Sequence, residues 1–164
     1  MLNAANLEII REDRKAKQYI TDIKFSAEQI AFASGDGRVY IHENVNFGHL
    51  ITVETSAMYS AVTKVTFSSD GRYLSLSTSS HELFYYSLAE SQLISSGMVL
   101  RDVVWKDPAV AYSWNTQGVF DRSQSYGVLA VAVNLTAKVV AASYSNGSIR
   151  LYRYPCQTAQ VLCY

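Results

Sequence analysis

ITDIKFS, at residues 20–26, is the first copy of a repeat that occurs three times in this chain of 164 residues. It returns as VTKVTFS at 62–68 and, in a more divergent form, as VLAVAVN at 128–134. Each copy is followed by a short apolar run, a turn and a third run. The third runs are RVYIH at 38–42, ELFYY at 82–86 and SIRLY at 148–152. Because one structural unit must underlie each copy, the repeat decides the fold class.

The spacing of the copies is typical of a β-propeller. Phe67 lies 42 residues after Phe25, and a period of about 40–45 residues with several short strands corresponds to one propeller blade. Apolar residues alternate with polar or small ones, as at Ile23 and Phe25, which is the period of a strand. Asp36-Gly37 and Asn146-Gly147 are typical of tight hairpin turns. The sequence therefore predicts an all-β, antiparallel fold.

The repeats predict about three four-stranded antiparallel blades in one partial propeller over residues 1–164. Blade one covers 19–55, blade two covers 61–96, and blade three covers 128–154 with a remnant of an outer strand near 159–163. Residues 6–12 are predicted to be an outer strand of a further blade. A closed propeller needs at least about four blades, so three are not expected to close. We expect either a longer protein or a partner chain to supply the missing blades.

The second repeat carries an insertion at residues 100–126. Val133 lies 66 residues after Phe67, which is 24 more than the first spacing. Long loops on a rigid scaffold often carry binding residues. The predicted protein-binding residues are the aromatic side chains of this segment: Trp105, Tyr112, Trp114 and Phe120. The alternative is that the two tryptophans only fill the gap beneath the insertion.

No motif predicts catalysis. His42, His49 and His81 stand at no spacing with a Cys, a His or an acid that is typical of a metal site. Gly35-Asp36-Gly37 is followed by a strand, whereas a phosphate-binding loop needs a helix after it. The two cysteines, Cys156 and Cys163, are too few for a disulfide framework. We predict no enzymatic activity, no metal and no cofactor.

Composition narrows the class of partner. The formal net charge is zero, which gives no reason to expect nucleic acid as a partner. No apolar run approaches the roughly 20 residues of a membrane helix, and the first residues lack the pattern of a signal peptide. We expect a cytoplasmic chain whose partners are proteins.

The repeat resembles the WD repeat, in which an Asp occupies the turn before the third strand and that strand ends in Trp-Asp. Asp36 matches the turn residue, and Asn146 is its equivalent in the third copy. The Trp position holds other rings: His42, Tyr86 and Tyr152. The resemblance implies that these five are structural residues of the repeat. It also implies that the repeats are divergent, so the buried network of standard repeats is not assumed.

A closer resemblance is to the echinoderm microtubule-associated protein-like family, in the C-terminal half of its tandem propeller. It is carried by residues 19–41, by LRDVVW at 100–105 and by residues 139–156, which end in Tyr154-Pro155-Cys156. In the family a similar insertion contains a tryptophan, and a strand ending in aromatic-Pro-Cys follows. The resemblance implies a non-catalytic module that binds tubulin or microtubules and belongs to the cytoskeleton. The alternative is a generic WD-repeat scaffold for another intracellular complex.

Overall fold

A computed structural model describes residues 5–55, 60–80, 82–107, 113, 115–120 and 127–158. The strands of blade one are β1 (Ile20–Phe25), β2 (Gln29–Ser34), β3 (Arg38–Glu43) and β4 (His49–Glu54). Those of blade two are β5 (Val62–Phe67), β6 (Tyr73–Thr78), β7 (Leu83–Ser87) and β8 (Gln92–Ile94). Those of blade three are β9 (Val128–Asn134), β10 (Val139–Tyr144) and β11 (Ile149–Arg153). Short 3-10 helices span Gly97–Leu100 and Gln117–Val119.

Each blade is an antiparallel meander in which consecutive strands pair. The sheet orders are β1-β2-β3-β4, β5-β6-β7-β8 and β11-β10-β9. The prediction of an all-β partial propeller is therefore confirmed, and the three sheets do not close into a ring. Blade three has three strands in the described part of the chain. Its fourth, predicted near 159–163, lies outside the described residues.

Turn chemistry explains why the chain reverses between the second and third strands of a blade. Gly37 has φ of +81°, a left-handed conformation that costs glycine little. The Asp36 carboxylate accepts the backbone N–H of Arg38 at 3.2 Å, which closes the turn from its polar side. In blade three the side chain of Asn146 accepts the N–H of Ser148 at 3.0 Å in the same way. Asp and Asn are favoured at such positions because they make this local bond.

Blades one and two share one hydrophobic core, and blade three has its own. The shared core contains Ile41 and Val53 from blade one and Phe67 and Leu76 from blade two, all at most 1% exposed. In the core of blade three the buried residues are Val119, Val140, Ala142, Tyr144, Tyr152 and Cys156. Burial of this kind is the main stabilising contribution to such sheets. The described part of the molecule is thus built from two separate apolar clusters.

Residues 6–12 do not form the predicted outer strand, and that prediction is wrong. Only Ile9 makes an isolated bridge, and its side chain is 68% exposed. The N-terminal segment instead lies across the outward face of blade one. Arg11 donates to the carbonyl of Asn46 at 2.8 Å, and the N–H of Lys17 donates to Asp36 at 2.9 Å. Side-chain contacts hold this segment where a strand ladder was expected.

Candidate functional site

The first part of the insertion lies along the free edge of β5. Trp105 and Ser68 form an antiparallel bridge. On either side of it, the N–H of Ser69 donates to the carbonyl of Val104 at 2.7 Å, and the N–H of Lys106 donates to the carbonyl of Phe67 at 2.9 Å. These bonds satisfy an exposed strand edge and fix the backbone that carries Trp105.

An ion pair ties the same part of the insertion to blade one. Lys24 Nζ lies 2.6 Å from Asp107 Oδ2, and both side chains are about one-third exposed (32% and 34%). The hydrogen bond to Asp107 raises the pKa of Lys24, so the lysine stays charged at neutral pH. The N–H of Asp107 also donates to the hydroxyl of Thr66 at 3.2 Å. Residues 103–107 are thus held by both blades.

The second part of the insertion belongs to blade three. The N–H of Gly118 donates to the carbonyl of Cys156 at 2.9 Å, and the N–H of Cys156 donates to the carbonyl of Asn115 at 2.8 Å. Val119 is fully buried in the core of blade three, and its carbonyl accepts the Tyr144 hydroxyl at 3.1 Å. The insertion is therefore anchored at both ends, on different blades.

A cleft of about 280 Å³ lies between these two anchored parts. Its floor is the face of blade two, its rim is formed by residues 100–105 and Asp107, and its far side carries Asn115 and Tyr154. Asn115 Nδ2 donates to the Tyr154 hydroxyl at 3.2 Å. Residues from blade two, from blade three and from the insertion thus meet at one site, which we call the interblade cleft.

Strand register assembles the floor of the interblade cleft. Ser75 on β6 lies directly opposite Thr66 on β5 and opposite Tyr85 on β7. Directly opposed residues of an antiparallel pair point to the same face, so these three form one row across the sheet. Thr66 is 1% exposed and Ser75 is 2% exposed. The row places two buried hydroxyls beside an aromatic ring.

The aromatic wall of the cleft is a pair of rings. Tyr85 and Trp105 have centroids 5.6 Å apart with their planes inclined by 30°, a separation in the usual range for interacting aromatic side chains. Gly97 lies against the Tyr85 ring so closely that a Cβ atom there would be 2.6 Å from Cε2. The missing side chain at Gly97 therefore lets the 3-10 helix support the wall.

The predicted binding residues do not form one patch. Trp105 lines the interblade cleft, whereas Phe120 packs against the core of blade three and is not among the lining residues. Tyr112 and Trp114 lie outside the described residues. That these aromatic side chains bind a partner stays a prediction.

Sequence reasoning missed Ser75 and Tyr85 as site residues. A usable pattern exists on β6, where Ser75 and Ser77 alternate with the buried Leu74 and Leu76 and are themselves buried. A strand that buries small polar residues on its second face has that face covered by something other than a close-packed apolar core. The sequence alone did not say what covers it.

The rings at the three Trp positions of the repeat are all buried. Tyr86 is 6% exposed and belongs to the shared core, and Tyr152 is 1% exposed and shares a hydrogen bond with the Tyr144 hydroxyl. His42 is 3% exposed and contacts Phe32 edge to face, with centroids 5.3 Å apart. A packed ring at this place is what all three side chains have in common.

Asp36 forms a small polar network with the side chain of Tyr40. The Tyr40 hydroxyl donates to Asp36 Oδ2 at 2.7 Å. Burial, together with this hydrogen bond, raises the pKa of Tyr40 to about 12. Burial acts to raise the pKa of Asp36, but the hydrogen bonds it accepts from Lys17, Tyr40, Ser34 and Arg38 outweigh it and lower that pKa overall. Asp36 is therefore a charged acceptor at neutral pH. Among the described residues, Asn146, its equivalent, accepts hydrogen bonds from the backbone N–H and the hydroxyl of Ser148.

A second cavity, of about 360 Å³, lies between the N-terminal segment and the outward face of blade one. Its lining is mostly apolar and includes Ile20, Ile23 and Phe32. Its buried polar side chains have partners within the molecule: the Tyr40 hydroxyl bonds Asp36, and His42 Nε2 lies 3.6 Å from Asp13 Oδ2. We therefore take the smaller interblade cleft as the candidate functional site.

Across the described residues, no group of three or more His, Cys, Asp and Glu side chains is arranged to hold a metal ion. In the same part of the chain, no helix has the length and apolar character needed to cross a membrane.

Comparison with known proteins gives distant relatives. No family model matches the chain. It is 22% identical to the ciliary WD repeat-containing protein ctxp80 of Euplotoides octocarinatus, over 78% of this chain and 18% of that protein. It is 21% identical to the mouse echinoderm microtubule-associated protein-like 3, over 98% of this chain and 18% of that protein. The chain thus spans about a fifth of the length of these curated relatives.

A solved structure, the computationally designed Ika4 protein, aligns with 90% of this chain and 72% of its own, at 14% identity. Its TM-score of 0.46 is too low to support an argument. One of these two distant relatives is named as a WD-repeat protein, which agrees with the observed antiparallel blades.

Proposed function

We propose that the chain is a non-catalytic binding module of a cytoskeletal WD-repeat protein and that its partner is tubulin or the microtubule. The observation that carries the proposal is the interblade cleft, where Trp105 and Tyr85 form an aromatic wall beneath the insertion. Aromatic side chains in partly enclosed sites are the residues that most often dominate protein–protein binding energy.

The comparisons support the choice of partner. One relative carries the microtubule in its name, and the other is named as ciliary. The same proposal places the chain in the cytoplasm at the cytoskeleton. It also includes further blades, from the same protein or from a partner chain, beside the three described sheets.

Co-sedimentation with polymerised tubulin tests the proposal. The full chain should pellet with microtubules, and Trp105→Ala should weaken binding roughly 30-fold, the effect of a hot-spot loss of about 2 kcal/mol. Trp114→Ala belongs in the same assay, because it is the other predicted tryptophan. Tyr19→Ala is the matched control: this ring is 69% exposed on blade one and does not line the cleft.

Two results would count against the proposal. A chain that stays in the supernatant at all tubulin concentrations favours the alternative, a WD-repeat scaffold for another intracellular complex. If the wild-type chain and Trp105→Ala pellet equally well, the surface that binds microtubules lies outside the interblade cleft.

A further inference from the structure

The floor of the interblade cleft contains a hydroxyl that makes no hydrogen bond with the described residues. Ser75 is only 2% exposed as a residue and lines the cleft. Its oxygen is not among the fully buried side-chain atoms that lack a partner, so it is reachable from the cleft. The geometry of the floor is therefore suited to a ligand that brings a hydrogen-bonding atom to Ser75.

The wall above Ser75 is suited to an aromatic ring. Ser75 and Tyr85 are direct cross-strand neighbours, and Trp105 lies beside Tyr85. Aromatic side chains gain from offset or edge contacts with such rings beyond simple burial. Gly97 lies directly against the Tyr85 ring, which helps to fix the position of the wall. A ring entering along it would point its far end toward the floor.

The charged groups that line the cleft are already compensated. Arg101 Nε lies 3.2 Å from Asp102, and Asp107 is paired with Lys24. A charge placed against the floor, where Thr66 and Ser75 are at most 2% exposed, would be desolvated without a counterion, which is costly. A neutral group is therefore preferred over the side chain of a Lys, Arg, Asp or Glu.

The cleft has room for one aromatic side chain. Its volume of about 280 Å³ falls just below the roughly 300–1,000 Å³ of sites for drug-sized ligands. A ring, no charge and a polar atom at the far end describe tyrosine. Phenylalanine lacks the polar atom, and serine or threonine lacks the ring.

We propose that the interblade cleft receives one tyrosine side chain from an extended segment of a partner protein, with its ring along Tyr85 and Trp105 and its hydroxyl on Ser75. This inference rests on the proposed function, because it names the part of the partner that enters the same site. It does not depend on the partner being tubulin.

Two small probes test the inference on the isotope-labelled full chain by NMR. They are N-acetyl-L-tyrosine amide and N-acetyl-L-phenylalanine amide, which differ by one hydroxyl. Both should shift the indole N–H signal of Trp105, identified by its loss in Trp105→Phe. The tyrosine probe should bind roughly 2- to 10-fold more tightly, the usual value of one neutral hydrogen bond.

Ser75→Ala should abolish this preference by weakening only the tyrosine probe. Ser77→Ala is the matched control, because Ser77 lies on the same strand and is also 2% exposed. Its hydroxyl is already within 3.3 Å of the Thr63 hydroxyl, and it does not line the cleft. The preference for tyrosine should survive in Ser77→Ala.

Equal affinity for the two probes in the wild-type chain would overturn the inference, and so would a preference that persists in Ser75→Ala or an unshifted Trp105 signal. If Ser75→Ala loses the dispersed spectrum of a folded chain, the wild-type comparison of the two probes still decides. A chain that pellets with microtubules but does not distinguish the probes refutes only this inference. A chain that distinguishes them through Ser75 but does not pellet refutes only the tubulin partner.

Discussion

At the scale of single residues, two repeats bury polar rings and satisfy them by different means. The imidazole of His42 has the carbonyl of Phe47 3.3 Å from Nδ1 and a carboxylate oxygen of Asp13 3.6 Å from Nε2. Tyr152 uses the hydroxyl of Tyr144, which in turn donates to the backbone of the insertion. Buried polar atoms need such partners. The rings of His42 and Tyr152, which stand at the Trp position of the repeat, therefore depend on hydrogen-bond partners that differ between the two blades.

Asp36→Asn should destabilise the chain in a pH-dependent way. Asp36 Oδ2 accepts both the N–H of Lys17 and the hydroxyl of Tyr40. The amide of asparagine carries no charge, so it would accept these bonds more weakly. The pKa of Asp36 is lowered in the folded state, so its contribution is present above the unfolded pKa of about 3.8 and is lost as the pH falls through the folded value. At pH 7 we expect a loss of about 1 kcal/mol in the free energy of unfolding.

Urea denaturation at pH 7 and pH 3 measures the effect of Asp36→Asn. The difference from wild type should shrink at pH 3, which lies below the unfolded pKa of about 3.8, so that part of the contribution of the charge is lost. Asp102→Asn is the control, since that side chain is 87% exposed and exposed pairs contribute little. A difference of the same size at both pH values would contradict the role given to the Asp36 charge.

At the scale of elements, the inner strands of blades one and two are joined by side chains rather than by a strand ladder. The Thr21 hydroxyl on β1 donates to the carbonyl of Val62 on β5, and the N–H of Val65 donates to Asp22 at 3.2 Å. The same two blades share their hydrophobic core. Polar bonds at the inner edge therefore set the register of one blade on the other.

Asp22→Ala should weaken this junction. Removing the acceptor leaves the N–H of Val65 unpaired in a region of low exposure, and we expect a loss of about 1.5 kcal/mol in the free energy of unfolding. Chemical denaturation followed by tryptophan fluorescence gives the value. Asp102→Ala, which removes a carboxylate that faces solvent, should change stability by less than about 0.5 kcal/mol. Equal effects of the two substitutions would show that Asp22 does not join the blades.

The elements that could be predicted from the sequence are those set by local chemistry. Alternation in ITDIKFS and VTKVTFS and the Gly37 turn depend on neighbouring residues only, and β1, β5 and the β2–β3 hairpin follow from them. The N-terminal segment was mispredicted because its apolar pattern is that of a strand, whereas no strand of the described residues pairs with it. Pairing joins residues that are far apart in sequence, so the local pattern alone does not report it.

The candidate site could be predicted only in part for the same reason. Trp105 was found because the insertion interrupts a regular repeat. Ser75 and Tyr85 come to the cleft through strand register in blade two, and Asn115 through its attachment to blade three. These contacts join residues that are far apart in sequence, so composition and motif do not reveal them.

At the scale of the whole molecule, the described residues contain two hydrophobic clusters that do not merge. Elements that share a core unfold together, and separate cores can open independently. We therefore expect two cooperative units in the described chain. One is blades one and two with residues 103–107, and the other is blade three with residues 115–120 and 154–158.

A matched pair of substitutions tests this division. Val65→Ala and Val140→Ala each remove two methyl groups from a fully buried site, in the first and the second cluster respectively. Each should cost roughly 2 kcal/mol. Hydrogen exchange read by mass spectrometry should show lower protection of β2 and β6 only for Val65→Ala, and of β10 only for Val140→Ala. A uniform loss across both clusters would mean that the molecule unfolds as one unit.

The attachment of the insertion to two blades has a mechanical consequence. If blade three is pulled away from blade two, the load reaches Asp107 first and then peels residues 104–106 from β5 one hydrogen bond at a time. Residues 101–107 would then extend by about 3.3–3.6 Å each, while the strands of both blades stay intact. Trp105 leaves its place beside Tyr85 in that step. Tension along the chain would thus dismantle the cleft before it unfolds either core, and a bound partner would be released by force alone.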